Sequence, residues 1–229
     1  MSAISKAQFN LPEKSEAERR LASRIYSALE KAYPDATCAL EYRTPHELLI
    51  ATILSAQSTD VGVNKATPAL FAAFPHPRDY VSATPEDIQP LISSIGLYRN
   101  KSKAIHESMK RVVEEHDGQI PDDMDALLEL RGVARKTANV VLGNAFGINL
   151  GVVVDTHVSR IATRFSLTTA KTVEKIERDL MALFPRPKWT QLSHLLIAHG
   201  RAACKARHAR CQEDPICRRY CDCDYCRDD

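Results

Sequence analysis

The chain has 229 residues, enough for one large or two small domains with their own apolar cores, so it needs no covalent staples to fold. A formal charge of +2 is too small to announce a nucleic-acid partner by itself, and the uncharged stretch from Thr137 to Val154 carries three Asn and three Gly, which argues against a membrane span. The opening MSAISKAQFNLPEKSEAERR shows no charged-then-apolar leader, and the expectation is a cytoplasmic protein.

Leu21, Ile25, Leu29 and Ala32 recur at helical spacing and predict one face of a first helix, and Leu48, Leu49, Thr52 and Ile53 start another. Strand-like alternation is scarce. Pro and Gly at positions 45, 75, 77, 85, 90, 118, 121, 132, 185 and 187 punctuate segments of ordinary helix length, with no repeat period and no low-complexity linker. The reading is an all-α protein with a metal-bound tail.

LLELRGVARKTANVVLGNAFG, residues 127–147, shows two helical patterns joined by a very short turn. Ala138, Val141, Leu142 and Ala145 fall at i, i+3, i+4 and i+7, so the second helix begins near Arg135. A tight turn leading into a helix N-terminus aims backbone N–H groups outward in a nest that suits a phosphate oxygen. Arg135 and Lys136 stand in that first turn, where the helix dipole is positive and a cation costs about 0.3–1 kcal/mol. Lys136 is singled out because such a field favours the free amine that a lysine needs to act as a nucleophile.

In GVVVDTHVSRIATRF, the apolar positions Val158, Ile161, Ala162 and Phe165 make the next helical face and put Asp155 at its N-cap. A capping carboxylate held by backbone N–H groups is also a well-placed permanent charge.

The basic charge is local. Arg131, Arg135, Lys136, Arg201, Lys205, Arg207, Arg210, Arg218 and Arg219 all lie in the last hundred residues. Six of the seven cysteines fall between Cys204 and Cys226. In a reducing compartment such a cluster speaks for a metal site rather than for disulfides. CDCDYC offers a C-x2-C pair that zinc could also use, and Cys221 and Cys226 remain open as ligands.

LELRGVARKTANVVL followed by VVVDTHVSR closely resembles the helix-hairpin-helix and following aspartate of the endonuclease III family of DNA glycosylase/AP lyases. The resemblance extends to HELLIATILSAQSTDVGVNKAT (residues 46–67), ISSIGLYRNKSKAI (92–105) and LLIAHGRAAC (195–204). It implies two all-α domains flanking a DNA-binding groove. One would be a helical barrel at 37–148; the other, from 1–36 and 149–229, would carry a [4Fe–4S] cluster.

The implied substrate is double-stranded DNA with a damaged base or abasic site, bound by a monomer. By resemblance, Lys136 attacks the sugar C1′, expels an oxidised pyrimidine and leaves a Schiff base, and β-elimination then cleaves the strand on the 3′ side. Asp155 would stabilise the positive charge that develops on the sugar. Gln57 aligns with the residue that fills the gap left by the flipped nucleotide, and Leu97 with an apolar wedge. Arg131, Gly132, Val133, Ala134 and Arg135 would form the phosphate-binding hairpin, with Lys205 and Arg207 as a further phosphate grip.

The family spaces its cluster cysteines by six, two and five residues. Here Cys204 and Cys211 keep the first interval and Asp214 stands where the third cysteine would be, whereas Cys217 and Cys223 keep the last interval. The expected ligands are therefore Cys204, Cys211, Cys217 and Cys223. The hairpin departs from the family's L-P-G-V-G at Arg131, which loses the proline's preset φ, and at Ala134, which restricts any φ > 0; the phosphate nest is expected to change if Ala134 cannot adopt the family turn, with Arg131 partly compensating by charge. That expectation supports the alternative reading, a damage-binding paralogue that does not cut.

Overall fold

The computed structural model describes residues 9–207 and 211–223, and every regular element among them is helical. The chain forms two compact units, one of Cys38–Leu150 and one of Met1–Thr37 with Gly151–Asp229. The contiguous unit thus starts at 38 and ends at 150, against the 37–148 implied by the resemblance.

The first helix, α1 (Glu16–Ala32), opens on a capping box: the Ser15 hydroxyl accepts the Glu18 N–H at 3.2 Å, and the Glu18 carboxylate accepts the Ser15 N–H at 2.8 Å. Its buried face is Ala22, Ile25, Tyr26 and Leu29. Leu21 is only partly buried and Ala32 is exposed, so the stripe is rotated from the expected one. The aromatic ring of Tyr26 turns it, because that ring packs on Phe184 with centroids 6.1 Å apart.

The contiguous unit holds α2 (Pro45–Ser55), α3 (Asp60–Ala73), α4 (Pro77–Ser82), α5 (Pro85–Ile88), α6 (Tyr98–Glu115), α7 (Met124–Leu128) and α8 (Arg135–Ala145). Pro45, Pro77 and Pro85 each open a helix, where the missing N–H is no loss, so they are starts as much as stops. HELLIATIL has no polar stripe, and α2 is buried from His46 through Leu54. It is the central helix, packed on α3, α6 and α8. Around it Leu49, Leu54, Ile105, Met109, Leu127, Val141 and Leu142 form one continuous apolar core.

The other unit is completed by α9 (Thr156–Arg164), α10 (Val173–Leu183), α11 (Trp189–Ala202) and α12 (Pro215–Tyr220). Helix α11 packs on α9 and α1, and α1 also meets α12. Val158, Ile161, Ala162 and Phe165 are all fully buried, as the helical spacing predicts. The Trp189 indole N–H donates to the Phe184 carbonyl at 2.9 Å and closes the connection from α10 to α11. No helix of the described residues is long and apolar enough to cross a membrane.

Candidate active site and thiol cluster

The turn between α7 and α8 is built by two short backbone bonds, from the Leu130 N–H to the Leu127 carbonyl and from the Val133 N–H to the Leu130 carbonyl, both 3.1 Å. Gly132 has φ +81°, and a Cβ on it would stand 3.2 Å from the Ala104 Cβ of α6. Glycine is therefore demanded twice here, by conformation and by close approach. Ala134 has φ −96° and ψ 170°, extended backbone that any residue adopts. Ala134 therefore sits in this turn without backbone strain.

Helix α8 begins at Arg135 with no side-chain cap and no acidic residue in its first turn. Its cations differ. Arg131 is ion-paired with Glu107 on α6, and its carbonyl accepts the Ser108 hydroxyl at 2.8 Å. Arg135 donates from Nη2 to the Leu150 carbonyl at 3.1 Å. Lys136 is exposed, and its ammonium has neither an ion pair nor a hydrogen bond among the described residues. Behind it Ala138, Val141 and Leu142 are buried, so the helix is rigidly seated while its first turn faces water. A cation at the positive end of an uncapped helix is suited to an anionic partner.

Asp155 belongs to the other unit and caps α9, with Oδ1 accepting the Val158 N–H at 2.7 Å. The preceding residues Gly151 to Val154 are buried, and the Val153 N–H donates to the Ser193 hydroxyl at 3.0 Å. Capping uses one carboxylate oxygen and leaves Oδ2 for other work. His157 lies 3.1 Å from an Arg160 nitrogen, a local contact consistent with a structural role.

Gln57 and Leu97 lie in the contiguous unit on two neighbouring loops. Both are exposed, and both adopt positive φ without being glycine, at +55° and +60°. Such backbone costs about 1–3 kcal/mol and clusters at functional sites. Leu97 is 57 % exposed, which excludes a core role for this large apolar side chain.

In the tail, the Cys204, Cys211 and Cys221 sulfurs lie within 4.8 Å of one another, as do Cys204, Cys217 and a His199 ring nitrogen. Cys204 to Cys211 is 3.8 Å. Cys204, Cys211 and Cys217 are fully buried. Hydrogen bonds from the Cys217 and Cys221 thiols, then from the Arg164 guanidinium, hold Cys204 far below the usual thiol range, and the bond to Cys204 pushes Cys217 up. The gathered thiols include Cys204, Cys211, Cys217 and Cys221, and the Cys223 sulfur lies 3.2 Å from that of Cys221.

Asp214 explains the arrangement. Its Oδ1 accepts the N–H groups of Ile216 and Cys217 at 2.9 and 2.8 Å, capping α12, and this short helix puts Cys217 and Cys221 one turn apart on one face. Cys226 and Arg210 lie outside the described residues. Lys205 and Arg207 are exposed beside Cys204.

His199 is a candidate ligand that the spacing of cysteines did not reveal. It is fully buried, its Nε2 is 3.2 Å from the Cys217 sulfur, and its Nδ1 is 3.0 Å from the Tyr33 hydroxyl, whose ionisation burial pushes up to about 12. Arg164 was missed as well. Its Nη1 donates to the Cys204 sulfur at 3.1 Å and to the Lys205 carbonyl at 2.9 Å, placing a fixed positive charge against the sulfurs. A set of buried thiols with one cation donating to sulfur fits a thiolate-ligated metal centre.

Residues 50–186 match the family described as HhH-GPD superfamily base excision DNA repair protein. The chain belongs to that family. It is 50 % identical to endonuclease III of Synechocystis over 204 residues, which cover 89 % of this chain and 93 % of the relative. It is 41 % identical to endonuclease III of Escherichia coli K12 over 187 residues, covering 82 % and 88 %. Among solved structures it is similar to a trapped endonuclease III–DNA covalent intermediate, with a TM-score of 0.83 and 39 % identity over 89 % of this chain and 95 % of the other. The all-helical architecture is the endonuclease III fold.

Proposed function

We propose that this protein is a bifunctional DNA N-glycosylase/AP lyase of base excision repair that removes oxidised pyrimidines from duplex DNA through Lys136. The class of activity, a base excision repair glycosylase/lyase, is the one its endonuclease III relatives support. One observation carries the assignment of Lys136: it is a lysine with no ion pair or hydrogen bond among the described residues, in the first turn of a firmly packed, uncapped helix, directly after the glycine turn. That a related endonuclease III has been trapped covalently on DNA supports a nucleophilic amine in this family.

In the proposed reaction the Lys136 Nζ lone pair attacks C1′ of the flipped nucleoside. The C1′–N bond to the base breaks, and the base leaves with its electron pair and takes up a proton. The amine loses protons as the sugar ring opens to a Schiff base. Removal of the C2′ proton then expels the 3′ phosphate by β-elimination. Asp155, fixed by its capping bond, stabilises the positive charge on the sugar as the base departs. Gln57 fills the vacated position in the duplex and Leu97 wedges the opposite strand. The hairpin N–H groups at Gly132 to Arg135, with Lys205 and Arg207, hold phosphates. Arg131 contributes less, because Glu107 already neutralises it.

We assign the tail thiols to a [4Fe–4S] cluster ligated by Cys204, Cys211, Cys217 and Cys221, with Cys223 displaced from the set expected from spacing. The cluster would order the loop that carries Lys205 and Arg207 and supply no step of base removal. The protein works as a monomer.

Borohydride trapping on abasic-site duplex tests the proposal: a covalent adduct is expected with the natural chain and none with Lys136→Ala. Tight binding with no adduct from the natural chain would replace the enzyme with the damage-binding alternative, whose main support is the hairpin's departure from the family at Arg131 and Ala134.

A further inference from the structure

Lys101 is a lysine of another kind. It is 6 % exposed, and its ammonium donates to the Leu54 carbonyl at 2.8 Å, to the Ala56 carbonyl at 2.6 Å and to the Ser58 hydroxyl at 3.1 Å. Three donors meet three acceptors, so the group is saturated. The acceptors lie on both sides of Gln57, at the C-terminal end of α2, a helix whose last turn has no basic residue of its own. Lys101 supplies that cation from α6, where the exposed helix carbonyls attract it. The same residue's backbone N–H donates to the Leu97 carbonyl at 3.0 Å. The two loops also touch nearby, since a Cβ on Gly96 would stand 3.9 Å from the Gln57 carbonyl.

From this geometry we infer that Lys101 is a positioning residue that locks the Gln57 turn to the Leu97 loop, so that both side chains are presented to the duplex already in their inserting conformations. The inference rests on the proposed roles of Gln57 and Leu97 and extends them. Each of those residues is held at positive φ, a conformation that a free loop of non-glycine residues abandons. The saturated ammonium between them is what fixes the first loop against the second. Preorganisation of this kind matters only where a nucleotide must be extruded from a duplex and its place filled. It is idle on a strand with no partner.

The experiment compares Lys101→Met, which keeps the length of the stem and deletes the donors, with Gln57→Ala and the double variant in the full chain. Two reactions are read: release of base from a duplex carrying one thymine glycol, and borohydride trapping on a single-stranded oligonucleotide with an abasic site. Lys101→Met is expected to slow the duplex reaction about 10–100-fold and the single-strand reaction less than about 3-fold. The double variant should be no slower than the worse single one, because both changes remove the same act. Equal losses in both reactions, or additive losses in the double variant, overturn the inference in favour of a purely structural lysine.

Amide hydrogen exchange separates this inference from the roles it builds on. Faster exchange in Lys101→Met confined to Gln57, Ser58 and Leu97 supports the lock, and unchanged exchange there overturns it. If Gln57→Ala alone leaves duplex excision unaffected, the gap-filling role of Gln57 fails, and the exchange result still decides the lock. Should Lys101→Met not fold, Ser58→Ala, which removes one acceptor, replaces it in both measurements with the same pattern at smaller size.

Discussion

Lys136 and Lys101 stand in one compact unit at opposite kinds of helix end. Lys136 is exposed at the positive N-terminus of α8 with no partner among the described residues, whereas the Lys101 ammonium is enclosed at the negative C-terminus of α2 with three acceptors. A lysine at the negative end is satisfied and will not react. One at the positive end gains nothing from its surroundings, so its place in the sequence has to be explained by what it does. Exchanging either for an uncharged residue breaks the comparison in opposite directions. Lys136→Ala is expected to abolish borohydride trapping, with residual base release down by about 10⁴-fold or more, while the melting temperature stays level or rises. Lys101→Met is expected to lower stability by about 1–3 kcal/mol in denaturant unfolding, because it leaves two carbonyls without their donor.

Asp155 sharpens the contrast from the other unit, because its cap and its charge can be separated. Asparagine caps helices as well as aspartate does. Asp155→Asn should therefore leave the melting temperature nearly unchanged while slowing single-turnover base release about 10²–10³-fold, if the carboxylate serves the developing positive charge. A fall in stability with full activity would confine Asp155 to capping α9.

The thiol cluster makes a comparison of its own, between neighbours two residues apart. Cys221→Ser is expected to yield protein with depleted iron and a bleached visible spectrum, and Cys223→Ser protein with full iron content. The reverse result would restore the ligand set read from spacing. Colourless natural protein containing zinc would replace the cluster with a tetrahedral thiolate site.

What could be read from the sequence divides along the same physical lines. The start of α8 at Arg135, the buried face of α9 and the Asp155 cap were all legible, because helical periodicity and capping chemistry are local signals. The rotation of the α1 stripe was not, since it depends on a ring partner at Phe184 far along the chain. The sequence leaves the choice between Cys221 and Cys223 open for a related reason. Intervals between cysteines count residues along the chain, but Asp214 caps a short helix that sets Cys221 one turn beyond Cys217, with its sulfur close to those of Cys204 and Cys211. Lys101 carries no local signal, because its acceptors lie more than forty residues earlier in the chain.

The smallest effect expected concerns the hairpin turn, where two small residues stand two positions apart and only one is required. Gly132 is at φ +81° with the Ala104 Cβ in the way, whereas Ala134 is in extended backbone. Gly132→Ala should therefore lower stability by about 1–2 kcal/mol and weaken binding of abasic-site duplex, since both the turn and the N–H groups it aims would shift. Ala134→Gly, which restores the residue usual in the family, should lower stability by no more than about 0.5–1 kcal/mol through added freedom in the unfolded chain and should not raise the rate of trapping. A faster Ala134→Gly variant would mean that the turn needs a conformation that alanine denies it, and would favour the damage-binding alternative.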